Sequence, residues 1–177
     1  MTMTVLHQHH LFDNAALLWA CGQATAAGVL LFEHTPRTQR AAWAAAILRV
    51  VVPLLPPDPA VAAVLAFASA PDAWGAGAEG NYPAAHHLVA TIACSPARTP
   101  EAQMRQLAVA VGKVAYTAQQ YPAPFDHAAG WEVVGHAWTL STLLAHPGVE
   151  RRLWRCAADP AVVTLTAPVR CHPSCPW

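Results

Sequence analysis

The chain is 177 residues long, 55% of them hydrophobic and only 11% charged, with ten Lys or Arg balanced by ten Asp or Glu. That length fits one ordinary domain whose core needs no disulfide staples, and the apolar composition excludes an intrinsically disordered chain. A formal net charge of zero supplies no general attraction for phosphate backbones or anionic lipid, which argues against nucleic acid and membrane surfaces as partners.

The first ten residues contain no Lys or Arg and carry His7, His9 and His10, so they lack the positive start of a secretory signal and read as a mobile polar arm. A cytoplasmic location is the expectation, and five cysteines, an odd number, fit reduced thiols better than a disulfide framework. From Asn14 to Phe32 there is no formal charge, but Asn14, Gly22, Gln23, Thr25 and Gly28 interrupt a stretch that barely reaches membrane-spanning length; it reads as a buried helix.

Proline then punctuates the chain. Thr35-Pro36, Asp58-Pro59 and Thr99-Pro100 each put a capping side chain before a proline and an Ala-rich run, the signature of a helix start. Tyr82-Pro83 and His146-Pro147 are weaker versions, and Asp126 is placed to cap a helix after Pro122 and Pro124. Seven helices are predicted, at about 13–31, 36–52, 59–69, 83–94, 100–120, 126–145 and 147–157. Trp43, Ile47, Val50 and Val51 share one helical stripe, as do Leu107, Val111, Val114 and Ala118, and these should face the core. With 39 Ala to let helices approach closely, the fold class is all-α: a compact antiparallel bundle or a stacked helical array. Residues 1–157 form one helical domain, and 158–177 an extended or irregular Pro/Cys-rich tail whose Val162 to Thr166 have strand propensity.

Several motifs invite chemistry. Gly75-Ala-Gly-Ala-Glu-Gly80 matches the dinucleotide fingerprint formally, but a helical run precedes it and Pro83 interrupts the segment after it, so it reads as a helix connection. Ten histidines raise the possibility of a metal, because imidazole is a transition-metal ligand. Glu132 and His136 stand four apart on one helix and could share an ion with His86 or His87 from a second. In the tail, Cys171, His172 and Cys175, with Cys156 upstream, read first as free thiols on a Pro-stiffened segment; their spacing is also that of half a zinc site, and a redox-formed disulfide is the other alternative. His87 and Cys94 are seven residues apart, about 10 Å of rise, too far for a catalytic pair. Arg151, Arg152 and Arg155 around Trp154 form a basic cluster of a kind enriched at protein interfaces and also used by RNA- or DNA-contacting subunits; zero net charge favours the protein, and the structural reading is a solvated face with Trp154 turned inward. The seven tryptophans are expected to fill the core.

Two stretches carry a family likeness. Ala44 to Pro56, with Val50-Val-Val-Pro-Leu-Leu55, and Gln103 to Gln119, with Val111-Gly-Lys-Val-Ala-Tyr-Thr-Ala118, resemble the small Ala-rich helical immunity proteins of polymorphic toxin systems over about residues 36–136. The resemblance implies an all-helical protein that neutralises a toxin by binding it, without catalysis, and it carries over no site residue.

The chain therefore reads as a non-enzymatic, protein-binding helical protein, an immunity-like inhibitor or a subunit of a larger assembly. Its partner would be another protein chain, self or heterologous, with Arg151, Arg152, Trp154 and Arg155 as the candidate contact and no cofactor. A surface so poor in charge must expose apolar area or cover it. The alternative is a metal-dependent helical-bundle enzyme or sensor holding zinc or another transition metal through Glu132, His136 and His86 or His87.

Overall fold

The structure, a computed structural model, describes residues 3–69, 98–120, 126–146 and 148–158, with the side chains of 3–9, 116–120 and 126–129 outside that description. Among the described residues the chain is all-α. The helices are α1 (Met3–Ala20), α2 (Ala24–His34), α3 (Arg37–Val51), α4 (Pro59–Ser69), α5 (Pro100–Gln120), α6 (Asp126–Leu144) and α7 (Val149–Ala157), and a 3₁₀ turn, Val52–Leu54, prolongs α3. None is long and apolar enough to cross a membrane. The helix expected at 83–94, the glycine-rich motif, Cys94 and the tail beyond Ala158 lie outside the described residues.

The single helix expected at 13–31 is two helices. Gly22 has φ +78°, a left-handed conformation that a Cβ disfavours. The Gln23 N–H reaches back to the Leu18 carbonyl (2.8 Å) and the Gly22 N–H to that of Trp19 (3.0 Å). This is a Schellman closure, with glycine just past the helix end. Residues 3–10, expected as a mobile arm, are instead the first turns of α1, so His7, His9 and His10 lie on a helix. His10 is exposed.

Two of the three Thr/Asp-Pro caps are as expected. Asp58 Oδ1 accepts from the N–H groups of Ala60 (2.9 Å) and Val61 (3.2 Å), and Thr99 Oγ1 from that of Ala102 (3.2 Å). Thr35 does not cap α3. Its buried hydroxyl donates backwards to the Leu31 carbonyl (2.7 Å), and Pro36 takes the N-cap position with no side-chain bond. Thr35 therefore closes α2. His34 Nδ1 donates to the Leu30 carbonyl (2.8 Å), and Arg40 donates to the carbonyls of Thr35 and Glu33 (3.1 Å each) while its guanidinium lies 4.7 Å from the Phe32 ring centre. Carbonyls that a helix end leaves without partners are met in this way by the next helix. The last expected helix begins at Val149 rather than 147, because Gly148 turns the chain at φ +81°.

The hub is α3, which packs against α4, α5, α6 and α7. Ala41, Trp43, Ala44, Ala45, Ile47, Leu48 and Val51 are all buried, too wide an arc for a one-sided surface helix. The predicted stripes are seen in Trp43, Ile47 and Val51, with Val50 at the half-buried margin, and in Leu107, Val111 and Val114, the Ala118 side chain lying outside the description. Trp43 is fully buried, and its Nε1–H donates to the Ala157 carbonyl (2.9 Å), fixing the end of α7 to the centre of the molecule.

The helix pair α5/α6 runs antiparallel: Lys113 meets Glu132, and Gln103 meets His136. The pair α2/α6 is antiparallel as well, since Gly28 faces Val134 and Gly130 faces Phe32. Both glycines are steric necessities. A Cβ on Gly28 would come 2.8 Å from the Val134 Cβ and closer still to both methyls, and one on Gly130 would enter the Phe32 ring. Close helix approach, expected of alanine, is here set by glycine.

Candidate functional site

The clasp of α2 on α6 fixes the surface beside it. On α6, Trp131 and Trp138 are seven residues apart, two turns or about 10 Å along one face. The Gly22 closure ends α1 and swings α2 across that face, leaving an open groove of about 620 Å³ lined chiefly by Leu18, Gln23, Thr25, Leu30, Trp131 and Trp138. Trp131 is 59% exposed. A ring of that size gains roughly 1.5–3 kcal/mol when it is fully covered, so its exposure forgoes much of a large burial term.

At the far wall, Trp138 meets Trp19 edge-on with ring centres 5.3 Å apart, and Trp19 in turn lies 5.1 Å from Trp154 of α7. All three are half-buried. This indole chain joins the groove to the helix that carries the basic cluster. Composition alone assigns all the tryptophans to the core; Trp43 is there, whereas Trp131 is on the surface. The seven-residue spacing of Trp131 and Trp138 is the sequence signal for a shared stripe, but burial depends on which helix covers that stripe.

The basic cluster sits where the sequence predicts it. Arg151, Arg152 and Arg155 are exposed on α7, and Trp154 packs partly inward against Trp19. Glu132 Oε2 accepts from Lys113 Nζ (2.9 Å), and His136 Nδ1 hydrogen-bonds Gln103 Oε1 (3.2 Å), so each side chain is engaged across α5/α6. Burial holds the His136 pKa below the ordinary imidazole value; the Lys113 charge pushes the same way and Glu132 opposes. Among the described residues no three His, Cys, Asp or Glu side chains come together as a metal site. His86, His87, Cys171, His172 and Cys175 lie outside the described residues, and Cys156 is half-buried on α7.

A second charged contact is structural. Arg105 Nε donates to Asp58 Oδ2 (2.7 Å), tying α5 to the cap of α4. Burial alone would raise the Asp58 pKa, but the Arg105 hydrogen bond, the Val61 and Ala60 N–H groups and the Arg105 charge outweigh it and hold the carboxyl below its ordinary value.

What the described arrangement offers is contact surface: an aromatic groove and a basic helix face, joined by the indole chain. Comparison of the chain with family models, with curated proteins and with solved structures finds no match in any of the three.

Proposed function

We propose that this chain is a non-enzymatic protein-binding protein of the cytoplasm, acting as an immunity-like inhibitor or as a subunit of a larger assembly. The observation that carries the proposal is the open groove between α2 and α6, with Trp131 59% exposed on its wall, in a chain with only 11% charged residues. Large aromatic side chains left in water beside a concave apolar surface are the usual anchors of protein interfaces. The resemblance of residues 36–136 to immunity proteins favours an inhibitor that acts by covering its target.

The test compares wild type with Trp131→Asp, both untagged, by light scattering at micromolar concentration and by identification of co-purifying chains. Wild type is expected to self-associate or to carry a stoichiometric second protein, and Trp131→Asp to run as a folded monomer without it. A wild type that is strictly monomeric and purifies alone overturns the proposal.

A further inference from the structure

Three of the ten basic residues stand together on α7. Val149, Leu153 and Ala157, at four-residue steps, are buried, and the opposite face presents Arg151, Arg152 and Arg155, all exposed. Of the other described cations, Arg105 pairs with Asp58, Lys113 with Glu132, Arg49 with Ser69, and Arg40 with the carbonyls that end α2, while Arg98 is exposed and makes no such contact among the described residues. The three arginines of α7 make no ion pair or hydrogen bond among the described residues.

Arg155, in the last turn, suits the helix, but the other two positions do not. Arg151 and Arg152 are its third and fourth residues, where unpaired N–H groups make the local field positive; the N-cap Gly148 has no side-chain acceptor, and Glu150 is the one acidic residue in the first turn that offsets it. Arg151 and Arg155 are also like charges one turn apart, a repulsive pair. Two local rules are broken on one face with only Glu150, in the first turn, to compensate, the pattern expected where a surface serves a partner.

We infer that the Arg151/Arg152/Arg155 face of α7 docks an acidic segment of a partner protein. Guanidinium groups three and four residues apart on a helix have their Cβ atoms about 5–6 Å apart, a spacing that suits carboxylates one helical turn apart, and each planar fork can take a carboxylate through two parallel bonds. Nucleic acid is the poorer occupant: three charges neutralise about three phosphates, and the chain as a whole has net charge zero. The inference shares with the proposed function the premise that the chain acts by association, but it concerns a different surface. Trp131→Asp therefore leaves it standing, and its own failure leaves the groove unaffected.

The experiment titrates the isotope-labelled full chain with a synthetic poly-glutamate peptide and, in parallel, with an oligodeoxythymidylate of equal length, following the arginine side-chain N–H resonances. Poly-glutamate is expected to shift the signals of Arg151, Arg152 and Arg155 and to bind about tenfold more weakly to Arg151→Ala/Arg152→Ala, a loss of about 1.4 kcal/mol. Replacement of both by Lys should recover only part of that loss, since charge returns without the fork. Arg151→Glu/Arg152→Glu should abolish binding while the melting temperature holds or rises by about 1–3 °C, because the helix start is relieved of cations. Equal peptide affinity in wild type and the alanine variant overturns the inference. So does tighter binding of the oligonucleotide, or a melting temperature that falls on charge reversal, which would show that the arginines stabilise α7.

Discussion

Replacing Gly28 by Ala sets two known effects against each other. Helix propensity favours alanine over glycine by about 0.8–1.0 kcal/mol in a helix interior, and on that ground alone the variant would be more stable. Packing opposes it, because the new Cβ would sit 2.8 Å from the Val134 Cβ, with both Val134 methyls closer still. Rotation cannot clear the methyls, since a β-branched residue in a helix holds one strongly preferred rotamer. The helices α2 and α6 must part by close to an ångström, and such overpacking costs about 1–3 kcal/mol. The balance is a net destabilisation of about 1 kcal/mol, or a melting temperature lowered by about 2–4 °C. Val134→Ala alone should cost about 2 kcal/mol, for two methyl groups and the void they leave. In the double variant the added carbon occupies part of that void, and only the Cβ–Cβ approach remains to be relaxed. The double variant should therefore be more stable than the sum of the singles by at least about 1 kcal/mol, well outside the roughly 0.3–0.5 kcal/mol expected for independent sites. Urea titration followed by far-ultraviolet circular dichroism measures all four corners of the cycle. A Gly28→Ala variant stabilised by the full propensity gain, or strict additivity, would refute the close approach of α2 and α6.

Further outcomes rest on single contacts. Trp43→Phe strands the buried Ala157 carbonyl and should cost about 1–3 kcal/mol by urea midpoint, whereas Trp131→Ala, on an exposed ring, should stay within about 0.5 kcal/mol. The Asp58 pKa is lower in the folded state, so its contribution is present above the ordinary carboxylate value of about 3.9 and is lost as pH falls through the folded value. Asp58→Asn should flatten the acid limb of the stability profile; an unchanged limb would contradict the Arg105 pairing. For His136 the sign is the same: the folded state disfavours the proton, so stability is full above about pH 6.5 and declines below it, and His136→Gln should remove that slope. Untagged protein analysed for bound elements tests the His/Glu metal reading, which requires a stoichiometric transition metal.

How far the fold is legible in the sequence depends on whether the deciding contact is local. Pro59 after Asp58 and Pro100 after Thr99 mark helix starts through chemistry contained in four residues, and the observed starts of α4 and α5 coincide with them. Thr35-Pro36 carries the same local sign but a different outcome, because the Leu31 carbonyl of the preceding helix competes for the hydroxyl. The break at Gly22 is legible in principle, since glycine followed by a polar residue is a helix-stop signal; the unbroken apolar run around it favours continuation. Trp131 and Trp138 are legible as a pair on one stripe, but their exposure is decided by the path of α2, set by packing from far along the chain. The basic cluster can be read directly, because three arginines within five residues on a helix must project from neighbouring positions.

The indole chain of Trp138, Trp19 and Trp154 also makes the molecule its own optical reporter. Ring centres 5.1 and 5.3 Å apart couple the strong far-ultraviolet transitions of neighbouring indoles, which gives paired bands of opposite sign there, and hold the rings in fixed asymmetric surroundings that give near-ultraviolet bands. Trp138 borders the groove and Trp154 sits among the α7 arginines, so a molecule settling on either surface perturbs one end of a shared chromophore. The spectrum of unlabelled protein can therefore screen for occupants before any of them has been identified.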